Sequence, residues 1–152
     1  MPSGRRIDKP GRDALSGEGA RLYGGRWNSP GVPVVYLSEH QSLAALEIIV
    51  HQRPLTPRGD FLAYFIEWEE AQTERLPAKQ LPPNWRTSPP ESGNLAIGDE
   101  WAKARRSLIL AVPSAIIPEE VNFLLNPAHP DFSGVKIPKG TPFHFDPRLV
   151  GR

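Results

Sequence analysis

Apolar residues in this chain gather into a few dense runs, and stretches rich in proline and glycine separate them. The densest run is Leu43-Ala44-Ala45-Leu46-Glu47-Ile48-Ile49-Val50, preceded by Ser38 and Gln41 at the S-x-x-Q spacing of a capping box. The pattern predicts a helix that begins near Glu39 and runs to about Gln52, where Pro54 stops it. Upstream, Pro33-Val34-Val35-Tyr36-Leu37 has strand composition and Pro30-Gly31 suits the centre of a tight turn. Residues 24–37 are therefore expected to form strand, turn, strand, with Arg26 and Tyr36 on adjacent antiparallel strands. A loop with an odd number of residues centred on Gly31 sets Arg26 directly opposite Tyr36, whereas an even loop pairs it with Val35. The odd loop is the reading adopted.

Beyond Gln52 the pattern predicts mostly strands. Phe61 to Trp68 is apolar on both faces, as expected of a strand in the middle of a sheet. Leu76 to Pro90 contains Pro77, Pro82, Pro83, Pro89 and Pro90 and reads as a surface loop within one domain. Asn94 to Arg106 reads as a helix with Trp101 and Ala104 on one face, against the helix-weakening Gly98. Ser107 to Val112 reads as a strand and Glu119 to Leu125 as either a short helix or a strand. Asp131 to Ile137 and Thr141 to Phe145 are expected to close the fold as a strand pair. The sum is an α+β chain in which strands outnumber helices.

Composition narrows the class. A length of 152 residues fits one domain with a real core, and 39% hydrophobic content is ordinary for a globular protein. The net charge is +1 and the basic residues are scattered, so no nucleic-acid surface is expected. Without cysteine the fold depends on neither disulfides nor thiolate metal sites. The polar start lacks a signal peptide's apolar core and no run is long enough to span a bilayer, so the cytoplasm is the expected location.

Glu47 departs furthest from ordinary expectation. A carboxylate in mid-helix usually faces water, yet here Leu43, Ala44 and Val50 surround it, and burying it unpaired is costly. A cation or a ligand should meet it, an arginine or His51 being the structural alternatives. Arg26 follows two glycines, which suits a guanidinium fork for phosphate but also a plain surface arginine. Tyr36 suits stacking on a flat ring, although a lone strand tyrosine is more often core. Other chemistries drop out. Gly17-Glu18-Gly19-Ala20 lacks the third glycine of a dinucleotide fingerprint, and no P-loop, G-x-S-x-G elbow or H-E-x-x-H is present. His40, His51, His129 and His144 lack metal-ligand spacing, so no metal is implied. Ser114, Asn122 and Asn126 read, by themselves, as turn and cap residues.

Taken together and in order, the motifs resemble those of the RES-domain toxins. They are Gly17-Glu18-Gly19-Ala20, Gly24-Gly25-Arg26-Trp27-Asn28, Val34-Val35-Tyr36-Leu37, Ala45-Leu46-Glu47, Val112-Pro113-Ser114, Asn122 and Leu125-Asn126-Pro127, then His129-Pro130 and Phe145-Asp146-Pro147-Arg148. The resemblance covers nearly the whole chain, as a single RES domain over residues 1–152. It implies an α+β, ADP-ribosyltransferase-like fold with a strongly twisted, mainly antiparallel β core flanked by helices. It also implies NAD+ as substrate and a helix-turn-helix antitoxin of the Xre/ParS-like kind as partner. By motif, Arg26, Tyr36 and Glu47 take the catalytic places, and Arg6, Ser114 and Asn122 join Arg26 and Tyr36 in binding NAD+. The expected reaction breaks the nicotinamide–ribose bond and depletes NAD+ by hydrolysis or phosphorolysis. Transfer of ADP-ribose to a cellular protein is the second reading. A non-catalytic interaction domain is the third, and it would join Arg26 directly to Glu47 with no cavity between them.

Overall fold

The computed structural model describes residues 1–52 and 57–149. Among these residues seven strands and three α-helices follow one another: β1 (Ser3–Asp8), α1 (Glu18–Tyr23), β2 (Val35–Ser38), α2 (Gln41–Gln52), β3 (Phe61–Glu67), β4 (Thr73–Arg75), α3 (Ser92–Ala104), β5 (Ile109–Pro113), β6 (Val121–Leu125) and β7 (Thr141–Phe143). The strands form one sheet in the order β4-β5-β6-β2-β1-β3-β7, in which only β4 and β5 run parallel. This is the expected α+β, mainly antiparallel arrangement.

Residues paired across a sheet share a face, so the pairings locate the layers. Ile7 with Ala63, Arg5 with Ser38, Tyr36 with Leu124 and Leu110, and Asn122 with Val112 all lie on one face. Ala44 and Ala45 of α2 pack on Ile7, Phe61 and Ala63 at one end of that face. Trp101 and Ala102 of α3 pack on Leu110, Val112 and Leu124 at the other. Between the two helices, β2 is left with Tyr36 and Ser38 beneath open space. The opposite face carries Val35, Leu37, Ile66, Ile109 and Phe123 under Ala14 and Leu15 and the turn at 130–134.

The sheet also parts beside this gap. β1 pairs with β3 from Ser3 through Asp8 but meets β2 only where Arg5 faces Ser38. The Arg6 guanidinium enters the opening and donates from Nη1 to the Tyr36 carbonyl at 3.1 Å.

Several expectations are corrected. Residues 24–29 form no strand; they make a tight turn closed by a bridge between Gly25 and Asn28, after the short helix α1. β2 pairs with β1 and β6 instead, and the odd-or-even hairpin register does not arise. The cause is Asn28, wholly buried, whose Nδ2 donates to the Ala20 and Val32 carbonyls at 2.9 Å each. A side-chain amide thus offers the backbone an alternative to a ladder. The capping box does not form either. The Ser38 hydroxyl donates to Asn122 at 2.8 Å, and α2 starts at Gln41 with Ala44 N–H donating to the His40 carbonyl. Pro54 lies outside the described residues. β3 lies second from the sheet edge rather than in the middle. Residues 130–134 form a 3-10 turn, because the His129 ring accepts the Asp131 N–H as a cap and Pro130 suits the first turn. β1, which sequence reading missed, buries only Gly4 and Ile7 among polar neighbours.

Gly98 proves essential to α3 rather than a flaw in it. A Cβ there would lie 1.7 Å from the Trp27 carbonyl oxygen, so helix and loop touch backbone to backbone. Gly98→Ala is expected to destabilise the fold by about 3 kcal/mol, the upper range for overpacking, because neither backbone can retreat freely. Urea unfolding measures this directly; an unchanged midpoint would contradict the contact.

Candidate active site

The open space over β2 is a cavity of about 320 Å³, within the range of small-ligand sites. Glu47 reaches it from α2, Tyr36, Ser38 and Asn122 form its floor, and Arg26 projects from the 24–31 loop. Arg5 and Arg6 of β1 add two more guanidinium groups, so among the described residues the lining carries three arginines to one carboxylate. Such a lining favours a ligand with more than one negative charge.

Glu47 is fixed from one side only. Its Oε1 accepts from Asn122 Nδ2 at 3.0 Å and from the Ser114 hydroxyl at 3.4 Å. Asn122 is held in turn by the Ser38 hydroxyl, and Ser114 Oγ accepts the Ile116 and Ile117 N–H groups at 3.1 Å each. Ser114 is fully buried and does not line the cavity; it stands behind Glu47. His51 Nδ1 donates to the Glu47 carbonyl at 2.7 Å and lies 3.9 Å from Oε2. Among the described residues nothing but His51, at 3.9 Å, approaches Oε2, which leaves it available to a ligand hydroxyl.

Arg26 is fixed in a complementary way. Its Nη1 donates to the Trp85 carbonyl at 3.1 Å and to the Thr87 carbonyl at 2.7 Å, both in the proline-rich loop. Among the described residues nothing engages Nη2 or Nε, so half of the fork is available. Burial pulls the guanidinium below its ordinary pKa, and the Glu47 charge opposes that shift. The two groups sense each other, yet among the described residues they form no ion pair. Arg6 likewise keeps a buried Nε without a partner among the described residues, although Nη1 holds Tyr36 and Nη2 lies 3.4 Å from Asp8. Arg5 was missed by sequence reading; it lies over the Phe65 ring at 4.5 Å and lines the same cavity.

Tyr36 has a structural duty that its sequence context did not reveal. Its hydroxyl accepts the Trp27 N–H at 3.0 Å and donates to Asn28 Oδ1 at 2.7 Å. Burial pushes the phenol well above its ordinary pKa, which keeps it a donor. Gly25 is required beside it, since a Cβ would lie 2.7 Å from the hydroxyl. Tyr36→Phe leaves the Asn28 oxygen and the Trp27 N–H unpaired, and is expected to cost about 2 kcal/mol of stability. Chemical denaturation checks it, and a variant as stable as the parent would contradict this role.

Thus Arg6, Arg26, Tyr36, Glu47 and Asn122 meet at one cavity, with Ser114 behind it. Asn126 does not join them; its Nδ2 holds the Ala102 carbonyl. Glu39, His40 and Glu120 cluster elsewhere on the surface, where Glu39 is committed to the Val121 N–H.

A family model described as the RES domain matches residues 4–146. The chain belongs to the RES domain family. The "Prs ADP-ribosylating toxin" of Sphingobium sp. is 41% identical over 91% of this chain and 88% of its own length. The "NAD(+) phosphorylase MbcT" of Mycobacterium tuberculosis is 53% identical over a short segment, 24% of this chain and 20% of its own. The crystal structure of the M. tuberculosis MbcT-MbcA toxin-antitoxin complex contains a chain that superposes with a TM-score of 0.74, covering 93% of this chain and 84% of that one. At 20% identity this likeness establishes that the fold is shared.

Proposed function

We propose that this RES domain, taken as one domain over residues 1–152, is the toxin of a toxin-antitoxin pair and cleaves the nicotinamide–ribose bond of NAD+. The observation that carries the reading is that Glu47 and Arg26 line one cavity and, among the described residues, form no ion pair with each other, where an interaction domain would have paired them directly. The names of its relatives, one an ADP-ribosylating toxin and another an NAD(+) phosphorylase, agree with that chemistry.

In this reading Arg26, with its free Nη2 and Nε, and Arg6 hold the pyrophosphate. The Tyr36 ring lies against nicotinamide, its hydroxyl being committed to the loop. Glu47 Oε2 accepts from the ribose hydroxyls, while Asn122 and Ser114 keep Oε1 in place. The bond between ribose C1′ and the nicotinamide nitrogen breaks, and its electron pair leaves with neutral nicotinamide. The ribosyl carbon becomes cationic, as in glycoside hydrolysis, and the fixed carboxylate stabilises it. Water or phosphate then attacks C1′; when water attacks, its proton passes to solvent. ADP-ribose or its 1″-phosphate results.

A second reading replaces water with a protein side chain as acceptor, and the relative named as an ADP-ribosylating toxin favours it. Adenylate-labelled NAD+ separates the two. Purified protein in buffer, with and without phosphate, is compared with protein in cell lysate. Free labelled ADP-ribose or its phosphate supports depletion, and a labelled protein band supports transfer. The proposed partner is an antitoxin, by analogy with the antitoxin-bound relative, its helix-turn-helix kind being what the family resemblance implies, and the proposed place of action is the cytoplasm. Among the described residues no helix is long and apolar enough to cross a membrane.

A further inference from the structure

Asn94 is a wholly buried amide whose two ends are treated differently. Its Nδ2 donates to the Trp85 carbonyl at 2.8 Å, whereas its Oδ1 is buried with no partner among the described residues. An unpaired buried oxygen destabilises a fold, and an apolar side chain of similar size would avoid the penalty. Packing alone therefore does not explain an asparagine here. The carbonyl that Asn94 grips also accepts Nη1 of Arg26.

We infer that Asn94 is a positioning residue for the ligand-binding fork of Arg26, acting through the shared Trp85 carbonyl. This rests on the proposed role of Arg26 in holding the NAD+ pyrophosphate. Trp85 lies in a loop rich in proline with little regular structure, and such a segment is by itself a poor support for a binding group. α3 supplies the rigidity. Asn94, in its first turn, orients the carbonyl, and the Trp85 indole stacks on Trp27 at 6.3 Å, next to Arg26. Further along α3, Gly98 packs against the Trp27 backbone and Asp99 accepts the Ser29 N–H at 2.8 Å. One helix thus holds both the loop that carries Arg26 and the carbonyl that aims it. With Nη1 held by the Trp85 and Thr87 carbonyls, Nη2 and Nε of this cavity-lining arginine have no partner among the described residues and are left as preorganised donors for a ligand.

The test is a double-substitution cycle on the full chain, read by ADP-ribose affinity, NAD+ kinetics and thermal stability. Asn94→Leu removes the orphaned oxygen together with the donor. It is expected to melt no lower than the parent, to raise KM for NAD+ and the Kd for ADP-ribose at least tenfold, and to change kcat less. In an Arg26→Lys background the same substitution is expected to have no further effect, because the fork it aims is gone. Asn94→Ala, less demanding of space, is run in parallel. Parent-like affinity in either folded variant overturns the inference, as does full additivity with Arg26→Lys. Failure of both variants to fold overturns it too, since Asn94 would then be structural. A parent protein that neither binds ADP-ribose nor cleaves NAD+ would instead refute the functional reading, before any Asn94 variant is made.

Discussion

Glu47→Gln is expected to lower nicotinamide release by about 10²- to 10³-fold, the effect typical of losing one preorganised electrostatic contact at a reacting centre. Glutamine has the same shape, and its Oε1 can still accept from Asn122 and Ser114, so the support behind residue 47 survives. What disappears is the negative charge on the cavity side, where the ribosyl cation develops. Stability should change little, because Glu47 is partly exposed and forms no close ion pair; its nearest cation candidate, His51, is 3.9 Å away. ADP-ribose should bind at least as tightly, since the one carboxylate that faces three arginines among the described lining residues has been neutralised. Steady-state nicotinamide release with a parallel calorimetric titration reads both. Full turnover in the variant would remove Glu47 from the chemistry.

Arg26→Lys should be nearly as damaging although it keeps the charge. An ammonium is a single point donor, whereas the guanidinium of Arg26 bonds two loop carbonyls with one nitrogen and leaves the others for a ligand. A lysine that satisfies the Trp85 and Thr87 carbonyls turns away from the cavity, and one that faces the cavity leaves them unpaired. We expect kcat/KM for NAD+ to fall about 100-fold, or about 2.7 kcal/mol of transition-state stabilisation. Most of the loss should lie in KM. A lysine variant with parent-like kcat/KM would show that charge alone suffices and that the carbonyl clamp is incidental.

The parts of this site that the sequence disclosed are those with a local signal. Glu47 stood out because an acid inside an apolar helix violates periodicity, and the structure places that helix over the sheet beside a cavity. Ser107 to Val112 was legible as a strand from the continuous apolar run that starts at Leu108, and β5 lies inside the sheet with both faces covered. The capping box at Ser38 misled because its hydroxyl finds Asn122, a partner distant in sequence. The Arg26 segment was misread for a similar reason. Turn residues followed by a strand ordinarily signal a hairpin, but here Asn28 and the Tyr36 hydroxyl bind the backbone across the loop. β1 escaped notice because its register is set by pairing with β3, and its few apolar positions give no period. Asn94 and Arg5 carry no pattern at all, since their importance arises from carbonyls and rings that the fold brings to them.

The account stands on two opposed charges holding the two halves of one dinucleotide. A crystal structure of the Glu47→Gln protein soaked with NAD+ tests this most directly. The prediction is intact NAD+ with its nicotinamide-side ribose hydroxyls within hydrogen-bond distance of residue 47 and its pyrophosphate on the free donors of Arg26. NAD+ bound elsewhere, or with its pyrophosphate away from Arg26, would contradict it.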